Sequence, residues 1–133
     1  MPNDYLYAHC ISSDFVMGGG IALQFTKRGV KEKLKATYEQ FWDGHGYCRV
    51  VKMKNHIVAN LITKEKVYDK PTYETLTESL FDLKKYMIEN HINKVAMPLI
   101  GCGLDMLEWS NVEKIIKNVF NDTNFEIFIC KWS

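Results

Sequence analysis

The chain has 133 residues, 47% of them hydrophobic and 25% charged, with a formal net charge of +1. That length and balance are those of one compact domain, residues 1–133, with a buried core. The near-zero charge excludes a general attraction to nucleic acid or anionic membrane, although it is compatible with a local basic groove.

Residues 5–11 (YLYAHCI) form a short apolar run expected to be a strand. Residues 12–20 follow as a loop closing on three glycines. Residues 21–27 read as helix, with Ile21 and Phe25 spaced i, i+4, and Gly29 breaks it. A second, charged helix is expected over 30–41, then a turn at Asp43-Gly44-His45-Gly46. Residues 47–53 and 57–62 are strands joined by a tight Lys54-Asn55 connection, and 63–70 is polar loop. Thr72 can cap a helix running to about residue 90, with Glu74 in its first turn and Leu76, Leu80, Leu83 and Met87 on one face. Residues 94–100 are apolar at almost every position, the mark of a central strand covered on both faces. Ser110 and Glu113 form a capping box ahead of Val112, Ile115, Ile116, Val119 and Phe120, and 125–130 is the last strand. Alternating strands and helices imply an α/β layered domain whose ligands collect at the carboxyl ends of the strands. The loops at 12–20, 63–71 and 101–109 qualify.

Cys10, Cys48, Cys102 and Cys130 form no C-x-x-C pair and stand at no zinc-finger spacing, so neither a metal nor a cofactor is expected. Each lies in or beside an apolar run, which suits reduced, mostly buried thiols. No basic segment followed by an apolar one opens the chain, and no run approaches a membrane span. The expected setting is therefore the reducing cytoplasm, or the nucleus if the host is a eukaryote.

Three features could carry chemistry. Met17-Gly18-Gly19-Gly20-Ile21 lies between a strand and a helix, where amides approach an anion closely, and phosphate is the natural guest. It has no Walker lysine and no full G-x-G-x-x-G, so neither nucleotide fingerprint applies. Gly101-Cys102-Gly103 is a second glycine-rich strand exit, and two such exits could grip a diphosphate. Asp105 would then stand near what the diphosphate carries, though a lone acid after glycine is most simply a solvated turn residue. Lys64 ends the run LITK. It is a surface charge unless burial or a neighbouring cation lowers its pKa, and Glu65 and Lys66 leave both readings open. Among the histidines, His9 is expected to pack in the core, while His45 and His91 are solvated. The tryptophans Trp42 and Trp109 are expected to pack.

Taken together, AHCIS-x-D-x-x-MGGGIA (8–22), LITK (61–64), KPTYE-x-L (70–76) and MP-x-IGCGLD-x-L-x-W (97–109) resemble a macrodomain. They resemble specifically the branch of terminal ADP-ribose protein glycohydrolase and the related antitoxin macrodomains. The motifs keep the family's order and spacing from about residue 5 onward. The resemblance implies a three-layer α/β/α fold with a mixed central sheet that binds ADP-ribose. It places the diphosphate and distal ribose on Ser12, Met17, Gly18, Gly19, Gly20, Ile21, Ile100, Gly101, Cys102, Gly103 and Leu104. The family's catalytic lysine falls on Lys64 and its catalytic aspartate on Asp105. The implied reaction is removal of ADP-ribose from a carboxylate-linked acceptor, with protein favoured over DNA, by a monomer without membrane association. Competing readings are hydrolysis of O-acetyl-ADP-ribose or of ADP-ribosylated DNA bases, and a reader that binds ADP-ribose without turnover. One departure stands out. Only eight residues precede His9, without the Gly-Asp segment that contacts adenine in the family, so an N-terminally shortened fold is expected. Asp4 and Trp132 are the candidates for an adenine contact.

Overall fold

The computed structural model describes residues 5–16, 29–54, 56–102 and 106–130. Five strands and three helices occur among them, in the order β1 (Leu6–Ser12), α1 (Val30–Thr37), β2 (Tyr47–Lys52), β3 (Ile57–Lys64), α2 (Tyr73–Glu89), β4 (Lys94–Met97), α3 (Trp109–Val119) and β5 (Glu126–Ile129). The strands form one sheet in the order β2-β3-β1-β4-β5. β1 runs parallel to β3 and β4, and β4 parallel to β5, while β2 is antiparallel to β3. The expected mixed central sheet is present.

Alternation along the strands splits the core into two layers. Leu6, Ala8, Ala59, Leu61, Val95 and Met97 face one side, against Leu76, Leu80, Leu83 and Met87 of α2 and Val112, Ile116 and Val119 of α3. Tyr7, Ile11, Val58 and Ile62 face the other, against Val30 and Leu34 of α1. The layers are therefore helix, sheet, helix. His9 is a fully buried core residue, as expected, with its Nε2 2.6 Å from Asn60 Oδ1. Asn60 Nδ2 donates to the Arg49 carbonyl at 3.0 Å, which turns Oδ1 toward the imidazole and makes Nε2 the protonated nitrogen.

Several boundaries differ from those read in the sequence. α1 ends at Thr37, not at residue 41: Tyr38 is extended, and its phenol donates to the Val50 carbonyl at 2.6 Å. β3 continues through Lys64, into the loop expected from residue 63, because β1 supplies a partner as far as Ser12. β4 stops at Met97 because Pro98 has no N–H to extend a ladder. α2 starts as expected at a Thr72 cap, where Thr75 N donates to Thr72 Oγ1 and Thr72 N donates to Thr75 Oγ1, each at 3.0 Å. The Ser110–Glu113 capping box does not set the start of α3. That helix begins at Trp109 after Glu108, with no side-chain cap. Its entry is held instead by the Tyr73 hydroxyl, which accepts from Glu108 N at 3.1 Å and from Asn111 Nδ2 at 3.3 Å.

Candidate functional site

The parallel strands β1, β3 and β4 end along one edge, and that edge brings separated motifs together. Ser12 closes β1 and Lys64 closes β3, and the two are register partners. The preceding pair is Ile11 with Ile62, so Thr63 is an extra residue on β3 that faces no partner on β1. This is a bulge, a device that redirects side chains beside functional sites.

The loops leaving these strands are tied to each other. Ser13 N donates to the Lys64 carbonyl at 2.9 Å, and Ser13 Oγ to the Glu65 carbonyl at 2.9 Å. Asp14 is the hub. Its carboxylate accepts from the Ser12 hydroxyl, from Val16 N at 3.2 Å and from Val67 N at 3.1 Å. Burial opposes its charge, but those three donors and the nearby Lys66 ammonium outweigh burial and hold the carboxyl below the usual aspartate value. The turn also forces Phe15 to a positive φ of 59°, strained backbone for a bulky residue, and its fully buried ring offsets that strain.

After β4 the chain turns sharply. Gly101 has φ 73°, Cys102 N donates to the Leu99 carbonyl at 3.2 Å, and Leu107 N closes back on the Gly101 carbonyl at 2.8 Å. A Cβ on Gly101 would lie 2.8 Å from Leu107 Cδ1, a side-chain tip that can shift, so this glycine is required chiefly for its φ. Through Tyr73 the KPTYE motif grips the far end of the same loop.

Beside Lys64 lies a cavity of about 370 Å³. Its walls are the end of β3 with the loop after it, the first turn of α2, and the turn before β2 that carries Trp42 and Gly44. That turn is strapped to α2: Gly46 N donates to Glu78 Oε1 at 2.9 Å, and His45 Nδ1 pairs with Glu78 Oε2 at 2.8 Å. The Glu78 carboxyl is held below its ordinary value, chiefly by the Gly46 amide, and the His45 imidazole is raised by Glu78.

Of the site residues read from the sequence, the structure thus places Ser12 and Lys64 side by side, and Ile100, Gly101 and Cys102 in the turn after β4. Asp4, Met17, Gly18, Gly19, Gly20, Ile21, Gly103, Leu104, Asp105 and Trp132 lie outside the described residues. Sequence reasoning missed Asp14, Thr63 and Tyr73 as site-building residues; Trp42 packs against the core, as expected, and lines the cavity as well. Asp14, Thr63 and Tyr73 all sit inside the quoted motifs, so a signal was present. Of the four cysteines, Cys130 is buried and the others are partly exposed.

A model of the Macro domain family matches residues 8–116. The chain belongs to that family. This macrodomain is 41% identical over 124 residues to the Homo sapiens protein named ADP-ribose glycohydrolase OARD1, which covers 92% of this chain and 78% of that protein. The Bos taurus protein of the same name is 42% identical over 123 residues, covering 91% and 78%. Among solved structures, the macrodomain of Mycobacterium tuberculosis DarG matches with a TM-score of 0.80 at 24% identity, covering 99% of this chain and 91% of that one. Thermosipho africanus DarTG in complex with ADP-ribose matches with a TM-score of 0.74 at 18% identity, covering 96% and 38%. At these identities the structural matches bear on the fold, and they agree with the three-layer architecture.

Proposed function

We propose that this macrodomain binds ADP-ribose and hydrolyses its bond to a carboxylate acceptor on protein, with Lys64 as nucleophile and Asp105 as its proton-transfer partner. The observation that carries the reading is Lys64 at the carboxyl end of β3, paired with Ser12, in a chain 41% identical to a protein named as an ADP-ribose glycohydrolase. The glycine-rich exits from β1 and β4 supply the diphosphate grip, and binding there positions the distal ribose over Lys64.

In the proposed reaction the Lys64 amine attacks the anomeric carbon. An N–C bond forms, and the C–O bond to the acceptor breaks, its electron pair leaving on the carboxylate. Asp105 takes the proton that the nitrogen sheds. The adduct opens to an imine, water adds across it, and Lys64 leaves with its proton restored, releasing ADP-ribose. A carboxylate is a good leaving group, so no strong acid is needed on the acceptor side. Hydrolysis of acetyl or nucleobase conjugates, and binding without turnover, are the competing outcomes. Four cysteines in or beside apolar runs, without C-x-x-C spacing, suit a reducing, intracellular setting, which we include in the proposal.

The deciding measurement is ADP-ribose release from a glutamyl-ADP-ribosylated peptide by wild type, Lys64→Ala and Asp105→Ala. Both variants are expected to lose at least 100-fold in kcat, on the order of general base and nucleophile contributions. Wild-type release by Lys64→Ala would end the lysine mechanism. Tight ADP-ribose binding by wild type without release from any conjugate would make the chain a reader.

A further inference from the structure

We propose that the cavity beside Lys64 is the acceptor subsite, shaped for a polypeptide segment with a basic side chain next to the ADP-ribosylated carboxylate. The inference rests on the function proposed above and adds where the acceptor sits and what recognises it.

Topology comes first. In the sheet order β2-β3-β1-β4-β5, the loops after β1 and β4 lie to one side of β3. The turn before β2 lies to the other. With ADP-ribose on the first two loops and the scissile bond at Lys64, the group being released extends toward the cavity.

The cavity is built for a guest. Its volume of about 370 Å³ accommodates a few side chains. Thr63 lines it, is only 1% exposed, and its Oγ1 has no hydrogen-bond partner among the described residues. A buried hydroxyl left without a partner is costly unless something entering the cavity satisfies it. A peptide N–H or C=O supplies that partner. Trp42 offers an apolar wall, and the ties from Gly46 and His45 to Glu78 fix that wall before any ligand arrives.

Charge selects the class of acceptor. The lining carries Glu65, Asp69 and Glu74 against Lys64 and Lys70. Three carboxylates to two ammoniums repel the phosphodiesters of a nucleic acid and attract an arginine or lysine beside the modified residue. The segments that supply the lining also carry exposed apolar side chains, Phe41, Val67, Tyr68 and Tyr73, with Tyr68 exposed by 77%. That composition suits contact with another polypeptide.

The test compares kcat/KM for four conjugates: a glutamyl-ADP-ribosyl peptide with a neighbouring arginine, the same peptide with glutamate in its place, ADP-ribosyl acetate, and an ADP-ribosylated thymidine oligonucleotide. The arginine peptide is expected to lead. Thr63→Val should lower the ratio of arginine peptide to acetate about tenfold, and Trp42→Ala similarly. Glu74→Gln should narrow the gap between the two peptides by about threefold. A thermal melt confirms that each variant is folded. Equal loss on peptide and acetate would make these residues merely structural and overturn the proposal, as would a preference for the oligonucleotide. A binding arm uses an uncleavable ADP-ribosyl peptide, whose affinity should exceed that of free ADP-ribose and drop toward it in Thr63→Val. Excess affinity without turnover would sink the hydrolase reading and keep the subsite; no excess affinity would sink the subsite.

Discussion

Gly46 sets how closely the turn before β2 lies on α2, and so fixes one wall of the cavity. A Cβ at this position would lie 1.8 Å from the Thr75 carbonyl oxygen and 2.7 Å from its carbon. Both atoms are helix backbone, so no side-chain rotation relieves the overlap. In Gly46→Ala the turn must lift, which breaks the 2.9 Å bond from Gly46 N to Glu78 and loosens the His45–Glu78 pair. Overpacking costs about 1–3 kcal/mol, and a hydrogen bond to a charged group adds about 1.5 kcal/mol. A total loss of about 4 kcal/mol follows. With an unfolding entropy of about 2.1 cal/mol/K per residue, the melting temperature falls by about 14 °C. Gly44→Ala is the matched control. Its φ of 93° is strained for alanine, but nothing lies within 4 Å of the added Cβ, so only the backbone cost of about 1–2 kcal/mol applies. Urea unfolding followed by far-UV circular dichroism, with calorimetric melts, separates the two. If Gly46→Ala loses no more stability than Gly44→Ala, the contact with α2 does not hold the turn and the reasoning fails.

Three further outcomes follow from the same structure. Burial lowers the folded-state pKa of His9 to about 4, only partly countered by Asn60, so the unfolded imidazole protonates first as pH falls from about 6.5. Stability is therefore full above that pH and drops by about 2 kcal/mol between pH 7 and 5; His9→Gln should flatten this part of the urea-midpoint profile. Asp14→Ala removes the carboxylate that ties the loops after β1 and β3, at a cost of about 2 kcal/mol with its donors partly rehydrated. Because the folded Asp14 pKa is depressed, the deficit relative to wild type holds above the ordinary aspartate pKa and closes as pH falls through the folded value, which paired melts across acid pH would show. Tyr73→Phe strips the acceptor from Glu108 N and Asn111 and should cost about 1 kcal/mol, with a several-fold weaker ADP-ribose affinity by calorimetry; unchanged affinity would detach this tie from the ligand site.

The fold was legible where local pattern and packing agree. Leu76, Leu80, Leu83 and Met87 recur at helical spacing and are all fully buried, and the run at 94–97, apolar after Lys94, is an interior strand of the sheet, as that character suggests. Sequence reasoning failed where a distant partner decides. Tyr38 leaves α1 because its hydroxyl reaches β2, and α3 starts a residue before its apparent cap because Tyr73 holds Glu108. Neither partner is within reach of a local window. The site followed the same division. Lys64 and Ser12 were identifiable as strand-end residues of recognisable motifs, but that they are register partners depends on pairing between segments about 50 residues apart. Asp14 was within a motif and still overlooked, because an acid in a loop looks solvated until its three donors are in view.

The bulge on β3 connects the two proposals. Had the register continued from Ile11 with Ile62, Ser12 would face Thr63, and Lys64 would pass beyond the end of β1. The added residue moves Lys64 back opposite Ser12, where the loop ties from Ser13 and Asp14 hold the strand end. The same shift leaves Thr63 with no partner on β1, buried at the wall of the cavity with a hydroxyl that finds no partner among the described residues. In the proposed reaction, one local irregularity thus serves both the candidate nucleophile and the hydroxyl assigned to the acceptor subsite. Bulges are rare in parallel pairing and cost ladder hydrogen bonds, so retaining one at the strand end with both groups has a physical rationale in positioning. Shortening β3 by deletion of Thr63 would restore regular pairing yet bring Lys64 opposite Ser12 without the bulge. That variant should keep the fold and much of the release from ADP-ribosyl acetate while losing the preference for peptide, which separates the placement of Lys64 from the contribution of Thr63.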